Sequence, residues 1–81
     1  MFKVVTASTT STMDIGNVIT AQISIPTGYE YVAFRDFSPS DWTVVLQKII
    51  VNSNKVNVEC RKMISGSSNV TLSASIICRK I

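Results

Sequence analysis

From Val70 to Cys78 every second residue is apolar: Val70, Leu72, Ala74, Ile76 and Cys78 share one spacing, and Thr71, Ser73, Ser75 and Ile77 lie between them. A period of two marks a strand with one face buried; a helix would repeat every 3.6 residues. The same alternation recurs at Ile19–Ile25, where Ile19, Ala21, Ile23 and Ile25 are separated by Thr20, Gln22 and Ser24. It recurs again where Val56, Val58 and Cys60 alternate with Asn57, Glu59 and Arg61. No stretch sustains a 3.6-residue period. The residue types agree, because 10 Val, 10 Ile and 8 Thr stand against 2 Leu and 4 Ala among 81 residues. β-branched side chains fit a pleated surface, and the good helix formers are scarce. The expectation is an all-β chain.

Turn chemistry divides the rest. Pro26-Thr27-Gly28, Ser38–Asp41, Asn52–Lys55 and Ser65–Asn69 read as turns or loops, with Asn supplying positive φ in the third. Phe2–Val5 is a short strand, and the Ser/Thr-rich block at 7–17 has no apolar period and reads as a solvated connector. Five to seven strands with turns between them predict one small antiparallel β-sandwich, jelly-roll-like or barrel-like, over residues 1–81.

Two segments do not alternate cleanly. Strict alternation over 29–37 puts Tyr29, Tyr31, Ala33 and Phe37 on one side and Val32 and Phe34 on the other. Over 43–51 it puts Val45, Ile49 and Val51 on one side and Val44, Leu46 and Ile50 on the other. A strand apolar on both faces is covered on both, and in a chain this short the second cover would be another subunit. A homo-oligomer with Phe34, Val44, Leu46 and Ile50 at its interface is therefore expected.

Cys60 and Cys78 both fall on inward positions. If 56–63 and 70–78 formed a hairpin, paired residue numbers would sum to about 132 or 134. Cys60 would then face Leu72 or Ala74, too far from Cys78 for a bridge. Two buried, unlinked thiols are expected.

The charge is +3, from 8 Lys and Arg against 5 Asp and Glu, and there is no histidine. The commonest general base and metal ligand is thus missing. Asp14, Glu30, Asp36, Asp41 and Glu59 form no ligand cluster, and no nucleophile or phosphate-loop motif occurs. Glu30 and Asp36 could share a strand face, as glycosidase carboxylates do, but they read as solvated charges at opposite ends of that strand. No catalytic residue, metal site or cofactor is expected. Arg61 and Arg79 on neighbouring strands, with Tyr29, Tyr31, Phe34 and Trp42 as stacking platforms, would suit a small nucleic-acid-binding β-barrel. That is the alternative reading; the charge is modest and basic and aromatic residues do not interleave, so nucleic acid is the disfavoured partner. No apolar run approaches 18 residues, so no transmembrane helix is expected and no membrane partner. No 7–15-residue apolar segment follows Met1, so no secretory signal peptide is expected. Trp42, just after the Ser-Pro-Ser-Asp turn, either caps one end of the core or offers an exposed face to a sugar or a base. It is the candidate ligand-binding residue.

Ile25-Pro26-Thr27-Gly28-Tyr29, then Val32-Ala33-Phe34-Arg35-Asp36-Phe37-Ser38, then Val56–Lys62 and a last strand with a Cys near its end form a familiar series. Over residues 18–81 it resembles the small β-rich domains that end tail, baseplate and fibre proteins of phages of Gram-positive bacteria, or of their prophage remnants. The resemblance implies a structural, adhesive part of a virion, assembled in the bacterial cytoplasm. It also implies a symmetric oligomer with a trimer favoured, other virion proteins as neighbours, and contact with a host surface polysaccharide.

Overall fold

The computed structural model describes residues 1–81. Six strands form: β1 (Phe2–Met13), β2 (Val18–Ser24), β3 (Tyr29–Pro39), β4 (Val44–Val51), β5 (Lys55–Lys62) and β6 (Ser68–Lys80). They make two antiparallel three-stranded sheets, ordered β1-β6-β3 and β2-β5-β4. The fold is an all-β sandwich, and the body is elongated, 44 × 18 × 15 Å.

The cleanest alternation in the chain belongs to the two central strands, β5 and β6. Val56, Val58 and Cys60 from one, and Val70, Leu72, Ala74, Ile76 and Cys78 from the other, are almost wholly buried between the sheets. Ile19, Ala21 and Ile23 of β2 join them opposite β5. Only the β4–β5 connection is a hairpin within one sheet; the others cross between sheets. The expected hairpin between 56–63 and 70–78 does not form, since β5 and β6 lie in different sheets. Cys60 and Cys78 are nonetheless buried and free. Cys78 lies ten residues along β6 from Ser68, the end nearest Cys60. Cys60 sits two residues back from Lys62 at that end of β5, so at about 3.3 Å per residue the two cysteines are offset by about 26 Å along the strands.

Three bulges explain the two-sided strands. In β3 the pairing with β6 shifts between Tyr31 and Ala33 and again between Phe34 and Asp36. Each extra residue reverses the alternation, so Tyr29, Tyr31, Phe34 and Phe37 all turn toward the core. In β4 the shift between Leu46 and Lys48 brings Val44, Leu46 and Ile49 to one face. Phe34, Val44 and Leu46, expected at an oligomer interface, therefore pack inward, Val44 with 3% exposure. Of those four residues only Ile50, opposite Asn57, is on the outer face.

Of the block at 7–17, expected as a connector, residues 7–13 are strand and only 14–17 connect. β1 runs without a bulge through Met13, paired with β6 at every position. Ala7 packs against the core and Met13 is buried in it. The outward hydroxyls find cross-strand partners: Ser8 with Ser73 at 2.7 Å, Thr10 with Thr71 at 3.0 Å, and Thr12 donating to Asn69 at 2.7 Å. Small hydroxylated residues carry no hydropathy contrast, yet such pairs stabilise a sheet. The Asn52–Lys55 turn closes without any positive-φ asparagine; positive φ occurs only at glycines. Gly16 and Gly28 are the third residues of turns closed by Asn17 N–H to Asp14 O and Tyr29 N–H to Pro26 O. A type II turn needs glycine there.

Candidate functional site

Three inter-sheet connections meet at one end of the long axis: 14–17, 40–43 and 63–67. Backbone hydrogen bonds tie them together. Gly16 N–H donates to Lys62 O, Lys62 N–H to Asn17 O, and Met63 N–H to Thr43 O. Asp14 Oδ1 accepts from the N–H groups of Ile15, at 2.7 Å, and Gly66, at 3.0 Å. Those two bonds hold the Asp14 carboxyl below its usual range.

Beneath the loops lies an ion pair between a buried lysine and a partly buried aspartate. Lys62 continues the inward parity of Val56, Val58 and Cys60, so its side chain enters the sandwich, with 3% residue exposure. A buried ammonium needs partners. Its Nζ donates to Asp41 Oδ2 at 3.0 Å and to Thr43 Oγ1 at 2.8 Å. Asp41 also accepts from Thr43 N–H at 2.9 Å, Thr43 Oγ1 at 2.7 Å and Ser68 Oγ at 2.9 Å. The Thr43 N–H, more than any other donor, holds the Asp41 carboxyl well below the ordinary carboxylate range; the Thr43 hydroxyl, Lys62 and Ser68 add to it. Asp41 therefore stays ionised and committed inside the protein.

This network fixes what the surface shows. The Asp41-to-Thr43 bond is an Asx-turn, and Trp42 sits between its two anchored residues with its side chain thrown outward, 82% exposed. Ile15, at 58%, Met63, at 53%, and Ile64, at 44%, project from the adjoining loops. Val18 and Val45, flanking Arg61 across the outer face of the sheet, extend the patch. Asp41 is committed to Lys62, Thr43 and Ser68, and Asp14, though exposed, is tied to the loop N–H groups of Ile15 and Gly66, so this end presents several apolar side chains and one aromatic plane beside Asp14 and Arg61. Several exposed apolar side chains gathered on adjoining loops at one end of a small protein suit a contact site.

Trp42 is thus the sequence-derived candidate that the structure exposes, and it does not cap the core. Other expected groupings dissolve. Arg61 and Arg79 belong to different sheets and form no common patch. Tyr29, Tyr31 and Phe34 are partly buried against the core, and Lys3 Nζ lies 5.4 Å from the centre of the Tyr29 ring. Glu30 and Asp36 both face outward, but they pair with Arg79 and Ser75, four residues apart on β6. That is about 13 Å along the strand, beyond the span of a two-carboxylate site. Glu30 accepts two bonds from Arg79, and Asp36 is bonded by Arg35 and Ser75.

Lys62, Asp41, Ile15, Met63 and Ile64 escaped the sequence reading. Lys62 was legible through parity alone: a lysine at an inward strand position demands an acid nearby. No three His, Cys, Asp or Glu side chains are grouped as a metal would require, and no helix is long and apolar enough to cross a membrane. Comparisons with protein-family models, with curated proteins and with solved structures found no match.

Proposed function

We propose that this chain is a non-catalytic adhesive module of a larger assembly, of the virion tail or fibre type, and that its Trp42 end makes contact with a host surface polysaccharide. The observation that carries the proposal is the exposed Trp42, with Ile15, Met63 and Ile64 exposed on the two adjoining loops and the Lys62–Asp41 pair bracing its own. A pre-ordered aromatic plane binds a sugar ring at little entropic cost. The elongated body suits a part that holds one end away from the assembly. The partners of the chain are then its own copies, neighbouring virion proteins and the polysaccharide.

The nucleic-acid reading has less behind it. Arg35, Lys48, Lys62 and Arg79, four of the eight cations, are engaged in ion pairs, and Trp42 alone among the candidate platforms is fully in solvent.

The test is binding of the purified protein to a panel of immobilised Gram-positive cell-wall polysaccharides. Trp42→Ala should weaken binding at least tenfold with an unchanged circular dichroism spectrum. Binding to none of the panel, or equal binding by the variant, refutes the proposal. Submicromolar binding of a DNA oligonucleotide, falling steeply with salt, would favour the alternative.

A further inference from the structure

A sheet of three strands has two open edges, and this sandwich has four: β1, β3, β2 and β4. An open edge is a row of unpaired backbone groups, ready to pair with another chain unless blocked. Two of the four are blocked. β3 carries two bulges, Pro39 and the charges of Glu30, Arg35 and Asp36. β4 carries a bulge and Lys48. β2 has no bulge, proline or charge, but its seven residues offer little more than half the length of the twelve in β1.

β1 has no such device. It runs for 12 residues with no bulge, no proline and no glycine, and Lys3 is its one charge. Its backbone pattern can be worked out. Lys80 N–H donates to Met1 O, so Met1 and Lys80 are a hydrogen-bonded pair. Antiparallel pairs alternate between bonded and non-bonded. The odd residues of β1 therefore bond β6, and the N–H and C=O groups of Phe2, Val4, Thr6, Ser8, Thr10 and Thr12 point away from it. β2 packs near β1 but shares no backbone bond with it.

We infer that β1 is a self-association edge, on which a second copy of this chain adds its own β1 antiparallel about a two-fold axis. The inference rests on the self-assembling part of the preceding reading and names its interface, an edge rather than a sheet face. The register follows from the free groups. To keep the inner faces of both copies on one side, residue numbers must pair with an even sum. A sum of 14 sets Phe2 opposite Thr12 of the partner subunit, Val4 opposite Thr10 of the partner subunit and Thr6 opposite Ser8 of the partner subunit. All six outward-pointing residues of each copy then pair with bonding residues of the other. The two Lys3 side chains end up at opposite ends of the new ladder, so no like charges meet. The result is one continuous six-stranded sheet, β3-β6-β1 followed by its symmetry copy.

The test is light scattering on the full chain at tens of micromolar, with residue-resolved amide exchange. Ser8→Pro removes an outward N–H and the Ser8–Ser73 hydroxyl pair while leaving the β1–β6 backbone bonds intact, since edge proline is tolerated there. The double variant Thr6→Lys, Ser8→Lys places lysines directly opposite each other across the axis. A wild-type dimer of twice 8.9 kDa is expected, with both variants monomeric and natively folded. Slow exchange at Val4, Thr6, Ser8, Thr10 and Thr12 should be lost in the variants, while the odd-numbered amides stay protected in all. A wild-type monomer overturns both this inference and the self-assembling reading. A trimer, or an oligomer that both variants leave intact, overturns the edge alone and leaves self-assembly standing.

Discussion

Val44 and Val45 are neighbours of one chemistry, and the bulge at Gln47 decides which of them enters the core. Val44 is 3% exposed and Val45 43%. Val44→Ala removes two methyl groups from a dry site. At about 0.8 kcal/mol per buried carbon the transfer loss is about 1.6 kcal/mol, and the cavity left behind raises it to about 2–3 kcal/mol. Val45→Ala removes the same atoms from partly hydrated surface and should change stability by less than about 0.5 kcal/mol. Urea unfolding followed by far-ultraviolet circular dichroism separates the two. With a slope of about 1 kcal/mol per molar for so small a protein, Val44→Ala should lower the midpoint by about 2–3 M and Val45→Ala by a few tenths. Unbroken alternation along β4 makes the opposite demand, with Val45 inside beside Ile49 and Val51. Equal effects, or a larger loss from Val45→Ala, would show that the bulge is not where it is described.

Three further outcomes follow from the packing. The folded-state carboxyl of Asp41 lies below its ordinary value of 3.8, so its contribution to stability is complete above that pH and is lost as pH falls below it. Thermal stability should be flat from pH 7 to 5 and fall below about pH 4, and Asp41→Asn should be less stable at neutral pH with a shallower acid decline. Burial pushes both thiols upward; maleimide should modify Cys60 and Cys78 only after denaturation, and the intact mass should be the same with and without reductant. Asn57 Oδ1 is buried without a hydrogen-bond partner on the outer face opposite Ile50, so Asn57→Val should raise stability by about 0.5–1 kcal/mol in the same urea assay.

What could be read in the sequence was whatever depends on a period of two. The inward faces of β2, β5 and β6 were legible because Ile19, Val58 and Leu72 sit in stretches where apolar and polar residues strictly alternate. β1 was not, because Ala7, Ser8, Thr9 and Thr10 are too alike in hydropathy to show a face, although cross-strand hydroxyl pairs on one side and Val5, Ala7 and Met13 on the other hold the strand. The bulges were hidden for a different reason. A bulge is set by pairing with a neighbouring strand, here at Val32, Arg35 and Gln47, and one strand's residues taken alone show only a broken alternation. Broken alternation has two physical resolutions, a second cover or a reversal of parity, and this chain takes the second. At the candidate site Trp42 was visible as an aromatic residue beside a turn. The companions Ile15, Met63 and Ile64 were not, because they come together only through connections between sheets.

The most direct measurement is a titration of the ¹⁵N-labelled protein with solubilised Gram-positive wall polysaccharide, followed by amide chemical shifts. Perturbations should be confined to residues 14–17, 40–45 and 61–67, with the Trp42 indole N–H among the largest. Shifts centred on the outer face of the β1-β6-β3 sheet, or none at saturating polysaccharide, would contradict an adhesive role for the Trp42 end.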